Sequence, residues 1–258
     1  MVGSTSMKKP VSESQEESKT ILIVDDEPLI REILQRQFNK EGFVVTTCEN
    51  GNDALDAFKK SAPSVILSDI RMPNGDGVFL LEEIMKIKSD FPFLFMTGFT
   101  DVPSHDVYHK GASALIKKPF DLDTIVDQIK VSLLPNETRW AQEVSETKAK
   151  LKLAFGSLDA ALEDKSLTWG RGGFSFSQDV SLDEGDEVQF TVSFENGPVS
   201  NIKGAGVIRW VLDGDSKGYQ KVGVEISSLD PDSLEPVVKL SQQHGKAAYI
   251  PARIETSV

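Results

Sequence analysis

The sequence predicts a doubly wound α/β domain with a five-stranded parallel sheet, followed by a small antiparallel β-barrel. In the first half of the chain, five short apolar runs alternate with segments whose apolar residues recur at the helical period. In the second half, runs of alternating apolar and polar residues are separated by turn-rich segments such as 183–186 and 213–216. The length of 258 residues and a hydrophobic content of 39% allow two ordinary cores.

The apolar runs of the first half are short enough to be buried strands of a parallel sheet. The segments between them have the repeat of helices packed on a sheet, as Leu29, Ile33, Leu34 and Phe38 illustrate. We therefore expect strands near residues 20–24, 43–47, 64–68, 92–96 and 113–117. The expected helices span 28–40, 52–60, 77–88, 102–110 and 122–134.

The second half is predicted to be mainly β. Residues 150–155 alternate like a strand, although Leu151, Phe155, Leu158 and Leu162 would also suit a helix, and we favour a strand followed by a helical turn at 157–163. A terminal amphipathic helix at 231–243 would close the barrel. The remaining strands are expected at 173–176, 187–194, 202–211 and 220–226.

A connecting helix of about four turns is predicted at 136–149, from the usual 3.6 residues per turn. Trp140 and Val144 would form its apolar face. Three roles are open for this helix. It could transmit motion between the domains, it could help pair two chains as a homodimer, or it could rest its apolar face on its own domain.

Chemically suited residues stand at the ends of the apolar runs of the first half. Because the carboxyl ends of parallel strands share one edge of the sheet, these distant residues should meet in one pocket. Several carboxylates beside one ammonium and one hydroxyl suit a hard divalent cation and a phosphoryl group. The residues are Asp25 and Asp26 after ILIV, Asp69 after SVILS, Thr97 after FLFM and Lys118 after ALIK.

Each of these residues alone has a simpler explanation. An Asp at a strand end commonly caps a helix or forms a turn, and a Lys-Pro pair commonly lies in a loop. Their joint order favours a chemical role. A phosphatase of the haloacid dehalogenase type also uses an aspartyl nucleophile, but it would need a second acid two residues after Asp69, where Arg71 stands.

The ordered set resembles response-regulator receiver domains over about residues 19–134. The resemblance implies a flavodoxin-like fold in which Asp69 accepts a phosphoryl group from a histidine kinase or phosphotransfer protein. It also implies a Mg²⁺ site formed by Asp26, Asp69 and the backbone carbonyl of Arg71, with Asp25 holding a metal-bound water.

The same resemblance assigns Lys118 to the phosphoryl oxygens and implies that the Thr97 hydroxyl swings toward them. One position departs from the family pattern, because Leu115 stands where many receivers have an aromatic residue. The departure concerns the usual output face, formed by the fourth helix, fifth strand and fifth helix, and leaves the phosphotransfer chemistry untouched.

The second half resembles a PilZ domain over about 100 residues, through GRGGFSF, GDEVQFTV, IKGAGVIRWV and VGVEISSLDPDSLEPVVKL. Such domains typically bind cyclic di-GMP through an Arg-x-x-x-Arg stretch and an Asp/Asn-x-Ser-x-x-Gly turn. Here the stretch carries Lys148 and Lys152, and the turn at 168–173 keeps only its last glycine.

Lysine cannot replace arginine at such a site, because an ammonium neither forms a bidentate hydrogen bond to a phosphate nor stacks on a base. We therefore expect cyclic di-GMP binding to be lost or weak, with Lys148, Lys152 and Arg171 as remnants of a degenerate site. The domain would then act on an unidentified output protein. The alternative is a cyclic di-GMP receptor that phosphorylation gates.

Composition excludes several classes of function. The net charge is −12, and acidic residues outnumber basic ones in both halves, so no DNA-binding surface is expected. The single cysteine, Cys48, rules out an internal disulfide framework and fits a reducing cytoplasm. No apolar run approaches the roughly 18 residues of a membrane span.

The expected organisation has five parts. The second half lacks a cluster of His, Cys or Ser with acidic partners, so no enzyme activity beyond self-phosphorylation at Asp69 is expected. The parts are an expression-tag remnant and disordered tail at 1–18, the receiver at 19–134, a linker helix at 135–149, the PilZ-like domain at 150–247 and a C-terminal tail at 248–258.

Overall fold

The residues that the structure describes form two β-sheets, one of five strands and one of six. The computed structural model describes residues 19–98, 102–142, 149–197, 199–212, 219–244 and 248–252. The expected tail at 1–18 and the candidate residue Lys148 lie outside these ranges.

The first sheet is the predicted doubly wound parallel sheet. Its strands are in the order β2-β1-β3-β4-β5, and every neighbouring pair is parallel. The strands are β1 Thr20–Val24, β2 Val44–Cys48, β3 Val65–Asp69, β4 Phe93–Thr97 and β5 Ala114–Lys117. The helices between and after them are α1 Pro28–Lys40, α2 Gly51–Ser61, α3 Gly77–Ile87, α4 Ser104–Lys110 and α5 Leu122–Ser132.

The three central strands, β1, β3 and β4, are buried on both faces of the sheet, which explains why each is a largely continuous apolar run. Leu22 and Ile66 belong to a core on one face, and Ile23 and Leu67 belong to a core on the other. The element types and order are as predicted, and the boundaries differ from expectation by only one or two residues.

Short polar side chains fix where three of the helices begin. The side chains of Asn50, Asp76 and Asp121 accept hydrogen bonds from backbone N–H groups at the starts of α2, α3 and α5, at 2.8–2.9 Å. These caps satisfy donors that a helix cannot pair internally. They also bound the loops at the carboxyl edge of the sheet.

The second sheet differs from the antiparallel barrel that we expected. It is a curled, mixed half-barrel with the strand order β6-β9-β10-β11-β8-β7, in which β6 pairs parallel to β9. Alternation of apolar and polar residues shows which face of a strand is buried but not the direction of its neighbour. The strands are β6 Ala149–Ser157, β7 Leu167–Trp169, β8 Gly173–Gln178, β9 Glu187–Asn196, β10 Asn201–Leu212 and β11 Gln220–Leu229.

One strand and one helix boundary were not expected. The three-residue strand β7 overlaps the start of the segment 168–173, which we interpreted as a turn. The predicted linker helix at 136–149 is wrong for Ala141, Gln142 and Ala149, since α6 spans only Asn136–Trp140 and β6 begins at Ala149. Val144 lies outside the described residues.

Trp140 explains why the chain turns there. Its side chain is fully buried in the core of the second sheet, and its Nε1 donates a hydrogen bond to the Ile226 carbonyl at 3.0 Å. Helix α6 is therefore part of the second domain's core. Three roles were left open for the linker helix. The burial of Trp140 fits the third role, in which the helix rests its apolar face on its own domain.

The remaining helices are α7 Leu158–Glu163 and α8 Pro231–His244, both close to their predicted positions. With 14 residues, α8 is the longest helix in the described part of the chain. No helix formed by the described residues has the length and apolar character needed to cross a membrane.

The described part of the expected C-terminal tail is ordered between the two halves. Tyr249, Ile250 and Ala252 are buried, and they form an apolar cluster with Tyr108 of α4 and Trp210 of β10. The expectation of a tail is therefore wrong for residues 248–252. Small and aromatic residues near a chain end gave no periodic signal from which this packing could have been predicted.

Candidate functional site

Three of the predicted side chains meet at the carboxyl edge of the first sheet. Asp25 follows β1, Asp69 ends β3 and Lys118 follows β5. The Lys118 ammonium lies 3.0 Å from Oδ2 of Asp25 and 2.7 Å from Oδ1 of Asp69. The topology thus brings together residues that are up to 93 positions apart in the sequence.

Local backbone contacts orient both carboxylates. Oδ1 of Asp25 accepts a hydrogen bond from the Glu27 N–H at 2.9 Å, and Oδ2 of Asp69 accepts one from the Arg71 N–H at 2.9 Å. In each carboxylate the other oxygen faces Lys118. Asp25 is fully buried, whereas Asp69 is 8% exposed, so Asp69 is the one that an incoming group can reach.

Gly77 lets α3 begin directly against Asp69. A Cβ atom at this position would lie 2.2 Å from the Asp69 carbonyl oxygen and 2.8 Å from the Phe95 ring. Any larger residue would push on the backbone that carries Asp69. The sequence predicts Gly77 only as the start of a helix, since a glycine there gives no sign of the close approach.

The other predicted site residues surround this trio. Thr97 ends β4 and is 9% exposed, and its carbonyl accepts a hydrogen bond from the Lys118 N–H at 2.6 Å. The Asp26 side chain is exposed beside Asp25, and the Arg71 side chain is also exposed while its backbone N–H binds Asp69. All of these residues lie at the same edge of the sheet.

Burial and charge act in opposite directions on the site. Burial raises the pKa of Asp69 above its usual value, although the hydrogen bond and charge of Lys118 lower it. For Lys118, burial alone would lower the pKa, but hydrogen bonds and charges from Asp69 and Asp25 together raise it. The lysine is therefore held as an ammonium beside two carboxyl groups that compete for it.

The donor set fits a hard divalent cation. Among the described residues no group of three His, Cys, Asp or Glu side chains is arranged to hold a metal ion. The expected metal site needs only two direct side-chain ligands, the carboxylates of Asp26 and Asp69. The Arg71 carbonyl and a water held by Asp25 would complete it. Carboxylates outnumber the one ammonium here, and carboxylate and carbonyl oxygens are the ligands that Mg²⁺ prefers.

Two of the three expected remnants of a nucleotide site, Lys152 and Arg171, lie in the described part of the chain. Lys152 is exposed on β6, and Lys148 lies outside the described residues. The Arg171 guanidinium donates hydrogen bonds to the carbonyls of Gly111 and Phe91 in the first domain. Burial lowers the pKa of Arg171 to about 10, so it stays charged. Both hydrogen bonds to the carbonyls come from its Nη2, and its Nε is buried without a partner among the described residues.

Sequence reasoning missed the contact between the two domains. The Tyr249 N–H donates to the Tyr108 carbonyl at 3.0 Å, and the Ala252 N–H donates to Nδ1 of His109 at 3.1 Å. Leu115, the residue that departs from the receiver pattern, packs against the same cluster. Backbone hydrogen bonds between distant segments leave no trace in residue types, so no sequence signal could have located them.

Comparisons with known proteins concern the first half. Residues 21–130 match the model of the response regulator receiver domain family. Sporulation initiation phosphotransferase F of Bacillus subtilis is 35% identical over 114 residues, which cover 44% of this chain and 92% of that protein. The DNA-binding transcriptional regulator NtrC of Klebsiella pneumoniae is 42% identical over 105 residues, which cover 40% of this chain and 22% of that protein.

Among solved structures, the response regulator protein TrrA from Thermotoga maritima, in complex with Mg²⁺-BeF, is 35% identical with a TM-score of 0.42. The match covers 45% of this chain and 99% of that one. The chain spans less than a quarter of the length of the NtrC regulators that it matches.

Proposed function

This chain belongs to the response regulator receiver family through residues 21–130, and on that premise we propose that Asp69 accepts a phosphoryl group from a histidine kinase or phosphotransfer protein. The observation that carries the proposal is the Lys118 ammonium between the carboxylates of Asp25 and Asp69. The Bacillus subtilis relative is named a phosphotransferase, which supports phosphoryl transfer as the chemistry.

In the proposed reaction a carboxylate oxygen of Asp69 attacks phosphorus. A phosphorus–oxygen bond forms, and the bond from phosphorus to the donor's histidine nitrogen breaks, with its electron pair leaving on that nitrogen. Oδ1 is the suited nucleophile, because the Arg71 N–H already occupies Oδ2. A carboxylate that approaches a phosphoryl group is repelled unless positive charge offsets both anions, and Lys118 supplies one such charge.

Magnesium, when bound, would supply the remaining charge and a template for the transferring group. Asp26, Asp69 and the Arg71 carbonyl would hold it, and Asp25 would hold one of its waters. Lys118 would exchange its contacts with Asp25 and Asp69 for the phosphoryl oxygens, and the Thr97 hydroxyl would bond one of them. The chain would act as a signalling protein rather than as a conventional enzyme.

We propose further that the second half is a PilZ-like domain that acts on a protein partner. Its sequence pattern supports the likeness, and the engagement of Arg171 with Phe91 and Gly111 argues against the alternative of a gated cyclic di-GMP receptor. The NtrC regulators are named as DNA-binding, but the excess of acidic residues in both halves of this chain favours an output without DNA.

The proposal is tested by intact-mass spectrometry of the full chain after incubation with Mg²⁺ and a small-molecule phosphodonor such as acetyl phosphate. The wild type should gain one phosphoryl group, and removal of Mg²⁺ should prevent the gain. Asp69→Asn should not be labelled, because an amide is a poor nucleophile. The matched control is Asp56→Asn, at an exposed aspartate of α2, which should be labelled like the wild type. An unlabelled wild type would refute the proposal.

A further inference from the structure

The turn between β1 and α1 carries two of the expected metal-site residues, Asp25 and Asp26. Helices α2, α3 and α5 begin with side chains that cap them, but Glu27, the residue before α1, makes no such side-chain bond in the described part of the chain. Pro28 follows at the first position of the helix and has no N–H to donate. A side-chain cap therefore does not fix this turn.

Arg31 reaches back to the turn from the first turn of α1. Its Nη1 donates a hydrogen bond to the backbone carbonyl of Asp25 at 2.5 Å. Its own N–H donates to the Glu27 carbonyl at 3.2 Å, so the backbone of Arg31 is anchored in the helix while its side chain extends to the sheet edge. A hydrogen bond from a charged donor is roughly twice as strong as one between neutral groups. The guanidinium is thus a strong tether between α1 and Asp25.

With this bond, every polar atom of Asp25 has a partner. Its N–H donates to the Cys48 carbonyl at 3.3 Å, and its carbonyl accepts from Arg31. Its two carboxylate oxygens accept from the Glu27 N–H and from Lys118. Asp25 is fully buried, so the loss of any of these bonds would leave a buried polar group unpaired, at a cost in free energy.

The contact with Arg31 differs from the contact with Lys118 in one respect. Lys118 bonds the carboxylate of Asp25 and would leave it for the phosphoryl oxygens in the proposed reaction. Arg31 bonds the backbone carbonyl instead, so this tether can persist when the ammonium moves. The turn that carries Asp26 would then keep its position throughout the reaction.

Arg31 also brings a second cation to this edge of the sheet, beside the ammonium of Lys118. By its charge alone, Arg31 would repel a divalent cation. A contact that orients metal ligands would instead favour binding, because the ligands are already ordered when the metal arrives. The two effects change Mg²⁺ affinity in opposite directions, so the sign of the change on losing Arg31 tells them apart.

We propose that Arg31 is a positioning residue of the phosphorylation site, and that it raises the affinity for Mg²⁺ by fixing the turn that presents Asp26. The inference rests on the proposed function, which assigns Asp26 to the metal. Arg31 acts through the Asp25 carbonyl and not on the transferred group. Its effect on the position of the ligands outweighs the repulsion between the two cations.

Calorimetric titration of the full chain with Mg²⁺ tests the proposal. Arg31→Met removes the donors and the charge but keeps a long unbranched side chain. It should raise the dissociation constant by about 10- to 100-fold, the usual cost of losing a group that orients metal ligands. Arg36→Met is the matched control, since it removes an exposed arginine from the same helix. At about 0.15 M salt, where exposed charges are screened, its dissociation constant should stay within about twofold of the wild type.

Arg31→Lys separates geometry from charge. Lysine keeps the positive charge but has no Nη1, so the dissociation constant should rise here too, whereas a pure charge effect would leave it unchanged. Should Arg31→Met fail to fold, Arg31→Lys carries the test. Denaturant unfolding without Mg²⁺ identifies a merely structural role, which would lower the free energy of unfolding and leave the Mg²⁺ affinity of the folded protein as it is.

Labelling by acetyl phosphate adds a second readout. Arg31→Met should need more Mg²⁺ for half-maximal labelling, while its labelling rate at saturating Mg²⁺ stays close to that of the wild type. A folded Arg31→Met protein that binds Mg²⁺ as tightly as the wild type, or more tightly, would overturn the role of Arg31 alone. A wild type that binds no Mg²⁺ would refute the metal site of the proposed function, and the role of Arg31 with it.

Discussion

The ammonium of Lys118 lies 2.7 Å from Oδ1 of Asp69, the oxygen that the neighbouring backbone leaves available for reaction. The positive charge is therefore beside the proposed nucleophile before any phosphoryl group arrives. An arrangement formed in advance of the reaction needs little reorganisation when charge develops. The same lysine also bonds Asp25, so the ammonium must exchange partners if it is to follow a phosphoryl group.

The first prediction concerns Lys118→Ala. Loss of the ammonium should leave Mg²⁺ binding intact, because the expected metal ligands are all oxygen atoms. The conformational response of the first domain to phosphorylation, read as a change in its hydrogen exchange, should weaken. Lys59→Ala, at an exposed position of α2, is the matched control and should respond like the wild type. A full exchange response in phosphorylated Lys118→Ala would show that the lysine does not transmit the signal.

The first domain could be predicted from sequence because each level of evidence pointed the same way. Apolar runs such as the one before Asp25 predicted the strands, and the helical repeat predicted the helices that connect them. Parallel strand order then placed Asp69 and Lys118 at one edge of the sheet. The chemical types of these residues pointed to a divalent cation and a phosphoryl group, and the role of each residue followed from the resemblance to receiver domains. The clearance at Gly77 could not be predicted, because it depends on where a helix meets the sheet.

The second domain was less predictable for physical reasons. Trp140 was predicted to lie on a linker helix that continues to residue 149. Burial of the Trp140 side chain and its hydrogen bond to the Ile226 carbonyl instead hold the chain against the second sheet. The parallel pairing of β6 with β9 leaves no mark on the alternation of residues. Arg171 was expected near a nucleotide, yet its partners are backbone carbonyls that only the assembled domains bring near.

The second prediction concerns the stability of the second domain. Trp140→Ala should lower the free energy of unfolding by about 3–5 kcal/mol, since it removes a large side chain from a closed core. Trp140→Phe should cost about 1–3 kcal/mol, because the Ile226 carbonyl loses its donor. Denaturant unfolding measures both values. Val131→Ala, at an exposed position of α5, should change stability by less than about 0.5 kcal/mol. If Trp140→Ala unfolds like Val131→Ala, α6 is a free linker after all.

The third prediction concerns pH. Burial lowers the pKa of His109 below its usual 6.5, although Asp106 raises it, and Nδ1 must be unprotonated to accept the Ala252 N–H. A lowered pKa means that the docking contact between Ala252 and His109 is fully stabilised above about pH 6.5 and loses stability as pH falls below that value. An NMR titration of the His109 ring should give a pKa below 6.5. In Tyr249→Ala the value should move back toward 6.5, and a wild-type pKa at or above 6.5 would contradict the docking contact.

The fourth prediction concerns cyclic di-GMP. Calorimetry should detect no binding, or binding far weaker than micromolar, the affinity that corresponds to about 8 kcal/mol. Lys152 offers an ammonium instead of a guanidinium fork, and Arg171 is already bound to carbonyls of the receiver. Submicromolar binding by the wild type would overturn the protein-partner assignment and favour the gated nucleotide receptor.

The location of the phosphoryl group tests the central claim most directly. After reaction with Mg²⁺ and acetyl phosphate, the wild-type chain is cleaved at low temperature and its peptides are fragmented in a mass spectrometer. We predict that the phosphoryl group lies on Asp69, and that Asp69→Asn yields no phosphopeptide from this segment. A phosphoryl group on another residue of the wild type, or equal labelling of Asp69→Asn, would contradict the assignment of Asp69 as the acceptor.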